Sequence, residues 1–186
     1  MQAKRSSGSA VAAAPAPAKA TTESALSLAK TPALFCVELS NVFRLRLNEI
    51  ALLRLQRGLL RFIFPDELKT VGSIPVSSSS AVAAHTALTK KTELFNNFVK
   101  VQHARIFETV KLNSEEPVEQ AQKITIQKLM SAPILDPERK VLGVIQVCRK
   151  GYDLKSCGAD FTHDDLQLLE ASARTASKMP FMNDAS

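Results

Sequence analysis

The segment from Lys128 to Lys178 constrains this chain more than any other. It reads as two apolar runs joined by a polar turn, then a loop and a well-marked helix start. Asp136-Pro137-Glu138-Arg139-Lys140 joins a proline of fixed φ to charged residues, which is turn chemistry between apolar runs. Before it lies Leu129–Leu135, and after it Val141–Cys148, β-branched and nearly continuous. Such a run suits a strand covered on both faces. Pro133 has no amide proton for a ladder, so its strand is expected to be an edge there or to carry a bulge. Gly143 points to close backbone approach or a bend.

The helix start is written in several residues at once. Thr162 is placed to cap, Asp165 to complete a capping box, and Phe161 and Leu166 to form the hydrophobic staple. Asp164 and Asp165 also suit the positive end of the helix dipole. Leu166, Leu169, Ala173 and Ala176 then recur at helical spacing as one apolar stripe.

Upstream, Thr31-Pro32 supplies a cap and a first-turn proline for a helix over Ala33–Leu47, with Phe35, Leu39, Val42 and Phe43 on one face. Ile50–Leu55 and Leu59–Phe64, joined through Gln56-Arg57-Gly58, predict a hairpin. Gly72–Val76 predicts a third strand, and Ser77–Ser80 supply caps for a helix to about Lys90. Glu93–Phe98 reads as a strand and His103–Leu112 as a helix, with Asn113–Gln122 as polar loop. The order gives an α+β fold: a central antiparallel sheet with helices on both faces. Residues 1–22 are read as a disordered Ala/Pro-rich tail, 23–178 as one domain and 179–186 as a flexible C-terminus.

Composition excludes several function classes. A formal charge of +6 without a block of like charges, and one Tyr with no Trp, give neither a nucleic-acid arm nor a stacking platform. No run is long enough to span a membrane. Three cysteines at unrelated spacings (Cys36, Cys148, Cys157) argue against a disulfide scaffold or a zinc site, and fit a reducing cytoplasm. Cys36 and Cys148 lie in apolar runs and read as core residues, while Cys157 is expected to meet solvent. No nucleophile elbow, Walker loop or Ser/His/Asp constellation emerges, so the chain is read as non-enzymatic, with no cofactor and no metal.

The C-terminal pattern resembles the second half of a GAF domain, a small sensory module related to PAS domains. The residues that carry it are Ala132-Pro133-Ile134, Gly143-Val144-Ile145-Gln146-Val147, Arg149-Lys150, and Phe161-Thr162 with Asp165. Ile74-Pro75-Val76 and Ala81–Ala87 look like the family's upstream strand and helix, extending the resemblance over about residues 30–178. It implies a GAF/PAS-like fold, and a ligand held between one sheet face and the helices inserted before the last hairpin.

That pocket would be walled by the helix over Ser77–Lys91, the segment Phe98–Leu112 and the hairpin's inner face. Its candidate lining residues are Phe62, Phe64, Ser79, Val82, His85, Phe98, Phe107 and Met130. The alternative is that these side chains simply fill a core. The family's cyclic-nucleotide members carry Asn and Glu where this chain has Arg149 and Leu166, although Lys150 and Asp165 are retained and could pair across the loop.

Five arginines in or near the first hairpin (Arg44, Arg46, Arg54, Arg57, Arg61) form a possible anion-binding patch, with strand-edge protection as the alternative. The resemblance implies a non-catalytic sensory or regulatory module for a small-molecule ligand or a signalling protein, with a possible homodimer through the Ala33–Leu47 and Asp164–Ser177 helices. The alternative is a ligand-free interaction or dimerisation module, and a third is thiol redox chemistry at Cys157.

Overall fold

The first hairpin turns on two residues, Arg57 and Gly58, at φ values of 50° and 78°. Both central residues at positive φ define the turn whose twist matches the flanking strands. It joins β1 (Ile50–Gln56) to β2 (Leu59–Phe64). The computed structural model describes residues 19–70, 72–98 and 124–183. The expected helix at His103–Leu112, the loop after it, His103 and Phe107 lie outside the described residues, as does most of the 1–22 tail.

β3 (Ser73–Pro75), β4 (Glu93–Phe95), β5 (Thr125–Leu135) and β6 (Val141–Gly151) complete a six-stranded sheet in the order β3-β2-β1-β6-β5-β4. Every pairing is antiparallel. The fold is α+β, as the sequence predicts. β6 lies inside the sheet and is buried on both faces from Gly143 to Cys148, which is why its sequence runs apolar without alternation. Pro133 lies beyond the stretch of β5 that β4 covers, Leu129–Ser131, so its missing amide interrupts no ladder on that side. The β5–β6 turn closes through Asp136, whose amide donates to Lys140 O and whose Oδ1 accepts from Lys140 N at 2.7 Å.

One face of the sheet carries α1 (Lys19–Ser27), α2 (Pro32–Phe43), α4 (His163–Ala176) and α5 (Pro180–Asn183). Leu52, Met130, Ile145 and Val147 from the strands meet Phe35, Leu39, Leu169 and Phe181 from these helices. The other face carries α3 (Val82–Thr89), with Ala83, Ala84 and Ala87 on Leu53, Phe62, Leu129, Val144 and Cys148. Helices thus cover both faces. At Gly143 an added Cβ would lie 2.1 Å from Leu53 O, so glycine is what lets β1 and β6 approach there.

α4 begins as its residues dictate. Thr162 caps it, Asp165 Oδ2 accepts from Thr162 N at 2.7 Å, and Thr162 Oγ1 accepts from Asp165 N at 3.1 Å. Phe161 is buried, with Leu166 packed against the same core. Because Asp165 is engaged with its own cap, the ion pair seen at this loop is another: Lys128 Nζ lies 2.7 Å from Asp160 Oδ1 and donates to Gly158 O at 2.6 Å. Arg149 lies 4.8 Å over the Phe161 ring, and Asn96 exchanges two 2.9 Å hydrogen bonds with the Phe161 backbone.

Five expectations are corrected. α2 stops at Phe43 rather than Leu47, because Arg44 turns left-handed at φ 53°. The serines do not cap α3, whose N-cap is the buried Ala81 without a side-chain bond. A helix starts at Lys19, inside the stretch read as tail, and buries Thr22 and Leu26. The expected flexible C-terminus carries α5, with Met179, Phe181 and Met182 buried. Cys157 is not a surface thiol: it is 7% exposed and its Sγ donates to Leu154 O at 3.2 Å.

Candidate functional site

The α3 face combines an apolar wall with one line of polar groups. Its alanines allow α3 to lie close on the sheet, which brings Thr86 Oγ1 to 2.7 Å from Ser131 Oγ on β5. Glu93, Ser131 and Gln146 stand directly opposite one another across β4, β5 and β6. Gln146 Nε2 donates to Ser131 Oγ at 3.3 Å, Thr86 Oγ1 lies 2.8 Å from Glu93 Oε2, and His85 Nδ1 lies 2.9 Å from Glu93 Oε1. Five side chains form one chain from the buried sheet to solvent.

Proton counting orients that chain. Thr86 has one hydroxyl proton and two neighbours, and a charge-assisted bond to the carboxylate is the stronger use for it. Ser131 then donates to Thr86, and Gln146 to Ser131. Every donor points toward Glu93, whose side chain is 18% exposed beside a His85 that is 60% exposed. The arrangement can hold a negative charge at the rim of an apolar face and offer its oxygens to a hydrogen-bond donor.

The structure brings together some of the residues named from sequence and separates others. Phe62, Val82 and Phe98 share the α3-face cluster, and His85 stands at its rim. Ser79 lies exposed in the turn before α3. Phe64 and Met130 are corrected: both belong to the cluster on the opposite face. For Phe64 the cause is a bulge. Leu52 pairs with Phe64 and Leu53 with Phe62, so Ile63 is an extra residue and the alternation flips. Phe107 lies outside the described residues.

Sequence reasoning missed Thr86, Glu93, Ser131 and Gln146. The available signal was a lone Ser within Leu129–Leu135 and a lone Gln within Val141–Cys148, because buried polar side chains need partners. The three thiols do not meet at this site. Cys36 belongs to the helix-rich face, where burial pushes its thiol far above the usual range, and Cys148 to the α3 face. Among the described residues no cluster of His, Cys, Asp and Glu could hold a metal ion, and no helix is long and apolar enough to cross a membrane.

Several solved structures have the same architecture. The GAF domain of a phosphoenolpyruvate-protein phosphotransferase from Acinetobacter is 11% identical, with a TM-score of 0.60 over 86% of this chain and 87% of that one. Its counterpart from Coxiella burnetii is 8% identical, with a TM-score of 0.59 over 86% and 89%. A type II free methionine-R-sulfoxide reductase from Thermoplasma acidophilum is 12% identical, with a TM-score of 0.51 over 89% and 94%. No curated protein matches the chain by sequence. The family model for the GAF domain matches residues 38–178, a span holding all six strands, α3 and α4. With the sheet order, the two covered faces and that match in agreement, this chain belongs to the GAF domain family.

Proposed function

We propose that this GAF domain is a non-catalytic sensory or regulatory module that binds a small molecule against the α3 face of its sheet. The reading rests on the line His85–Glu93–Thr86–Ser131–Gln146 running beside the apolar cluster of the α3 face. A few convergent polar groups in an apolar surround are what a small-molecule site needs. With the donors already directed at Glu93, the complementary ligand presents an amine, amide or hydroxyl to that carboxylate. Thermal-shift screening of amino-acid derivatives, nucleobases and polyamines tests it. A ligand at 100 times its Kd should stabilise the fold by about 2.7 kcal/mol, and Glu93→Gln should shrink the shift. If no compound moves the parent's Tm, the reading is lost.

Absence of catalysis is supported by the thiols. Cys36, Cys148 and Cys157 are all buried, and a nucleophilic cysteine needs an accessible thiolate. Turnover of free methionine sulfoxide that disappears in Cys157→Ser would reverse this part of the proposal.

A second reading, an interaction or dimerisation module, is favoured by Leu34 and Val37, exposed one turn apart on α2. Both helices expected at a homodimer pack against α1 within the chain, and α2 is the one that keeps large apolar side chains exposed.

A further inference from the structure

β4 pairs with β5 no further than Glu93 opposite Ser131, and from there the chain leads back through Thr92 to Lys90, the C-cap of α3. An open cleft of about 340 Å³ lies at this point, walled by the end of α3, the β5–β6 turn and the second half of α4. Its charged lining comes from all three: Lys90 from the end of α3, Asp136 and Arg139 from the turn, Glu170 and Arg174 from α4. Two of these groups build the wall. Lys90 Nζ donates to Arg139 O at 2.8 Å, which ties the end of α3 to the turn where Arg139 is left-handed at φ 63°. Asp136 Oδ1 accepts from Lys140 N at 2.7 Å and so closes that turn from within. Arg139, Glu170 and Arg174 remain. Glu170 and Arg174 stand one turn apart on α4, in the order that favours an ion pair. Among the described residues, however, no ion pair joins them, and neither guanidinium meets another carboxylate. Two guanidinium groups and one carboxylate thus keep their hydrogen-bonding capacity for a molecule in the cleft.

We propose that this cleft binds a free acidic amino acid, its two carboxylates on Arg139 and Arg174 and its ammonium on Glu170. The charges match group for group. Planar guanidinium forks take carboxylate oxygens two at a time, and Glu170 accepts from the ammonium. With three cations against two carboxylates, the lining as a whole is left positive, which suits a ligand that is negative overall at neutral pH. Pro133 and Leu135, half-buried on β5, give an apolar floor for the ligand's methylene groups. The volume falls in the range of small-molecule sites. A free amino acid is the form that carries all three charges, because a peptide bond removes either the ammonium or the α-carboxylate. Among the described lining residues none belongs to the polar line of the α3 face, so the two sites are separate.

Calorimetric titration of the full chain with L-glutamate and L-aspartate at low salt is the test. At least one of them should bind saturably, and more weakly as ionic strength rises. The N-acetylated form, which loses the ammonium, and the side-chain amide, which loses a carboxylate, should each bind at least about tenfold more weakly. Arg174→Gln should weaken the free amino acid by a similar factor and melt as the parent does, because its side chain is exposed. Glu170→Gln should bring the free and N-acetylated forms to equal affinity, a convergence that lost folding would not produce. Glu93→Gln should bind as the parent does, so this cleft and the α3-face reading fail independently. The proposal is overturned if neither amino acid gives saturable heat, or if the N-acetylated form binds as tightly as the free one. It is equally overturned if Arg174→Gln keeps the parent's affinity, or if Glu93→Gln abolishes binding.

Discussion

Gly143 sits in the middle of β6, opposite Arg54 on one side and Ile134 on the other. A Cβ there would meet Leu53 O at 2.1 Å and Met182 Cε at 2.7 Å. The methionine can swing away, but the β1 carbonyl cannot without breaking its ladder. Gly143→Ala is therefore expected to cost about 1–3 kcal/mol, the range for overpacking a tight site. Urea denaturation would read this as a lower midpoint at unchanged slope, and an unchanged midpoint would mean that β1 and β6 separate more easily than their spacing implies. Asp153 gives a second residue-scale prediction. Its carboxyl is held below the usual range first by the Ser156 amide and hydroxyl, and then by the Lys155 amide and charge. Its Oδ1 accepts from Ser156 N at 2.7 Å and Lys155 N at 2.9 Å. A lowered carboxylate contributes order that is present above its unfolded value and is lost as pH falls through the folded one. The Lys155 and Ser156 amide resonances should therefore hold steady through the ordinary carboxylate range and move only below it. Asp153→Asn should abolish that transition, and a midpoint at the ordinary value in the parent would refute the turn's role.

At the scale of elements, α5 is the piece whose importance is out of proportion to its length. Phe181 meets Phe35 edge-on at 5.9 Å between ring centres, and Met182 packs into the same core. Phe181→Ala should cost about 3 kcal/mol, the lower end for a buried phenylalanine, because a terminal helix can partly collapse into the space. A loss under about 1 kcal/mol by thermal melting would place α5 outside the cooperative core. This helix also marks where sequence reasoning ran short. The β5–β6 hairpin, the Asp136–Lys140 turn and the α4 capping box were legible because each is decided by residues a few positions apart. Pro180–Asn183 has no period, and only the distant Phe35 gives Phe181 a reason to be inside. The bulge at Ile63 was hidden for the same reason. Leu60, Phe62 and Phe64 alternate on paper, yet pairing with Leu52 and Leu53 sends Phe64 to the other face. The polar line on the α3 face joins Thr86 to Ser131 across 45 positions, a distance over which no local pattern carries information.

Taken as a whole, the molecule divides its chemistry between the two faces of one sheet. Among the described residues, the α3 face carries the eight-residue helix built on alanine and the polar line. The opposite face is filled by four helices and large side chains. What α2 does with its outer side bears on how the whole chain assembles. Leu34 and Val37 face away from the core at 53% and 36% exposure, with Leu28 exposed just before the helix. Packed apolar faces exclude water, and two copies of this one would bury each other's leucines around a two-fold axis, as closed symmetry requires. Sedimentation velocity of the parent should therefore give a dimer, and Leu34→Glu with Val37→Glu should give a monomer of unchanged Tm. The substituted carboxylates stay in water in the monomer but would face one another across the axis, so repulsion acts on assembly alone. A parent that sediments as a monomer would sink the dimer, and leave the three exposed side chains as a surface for a different protein.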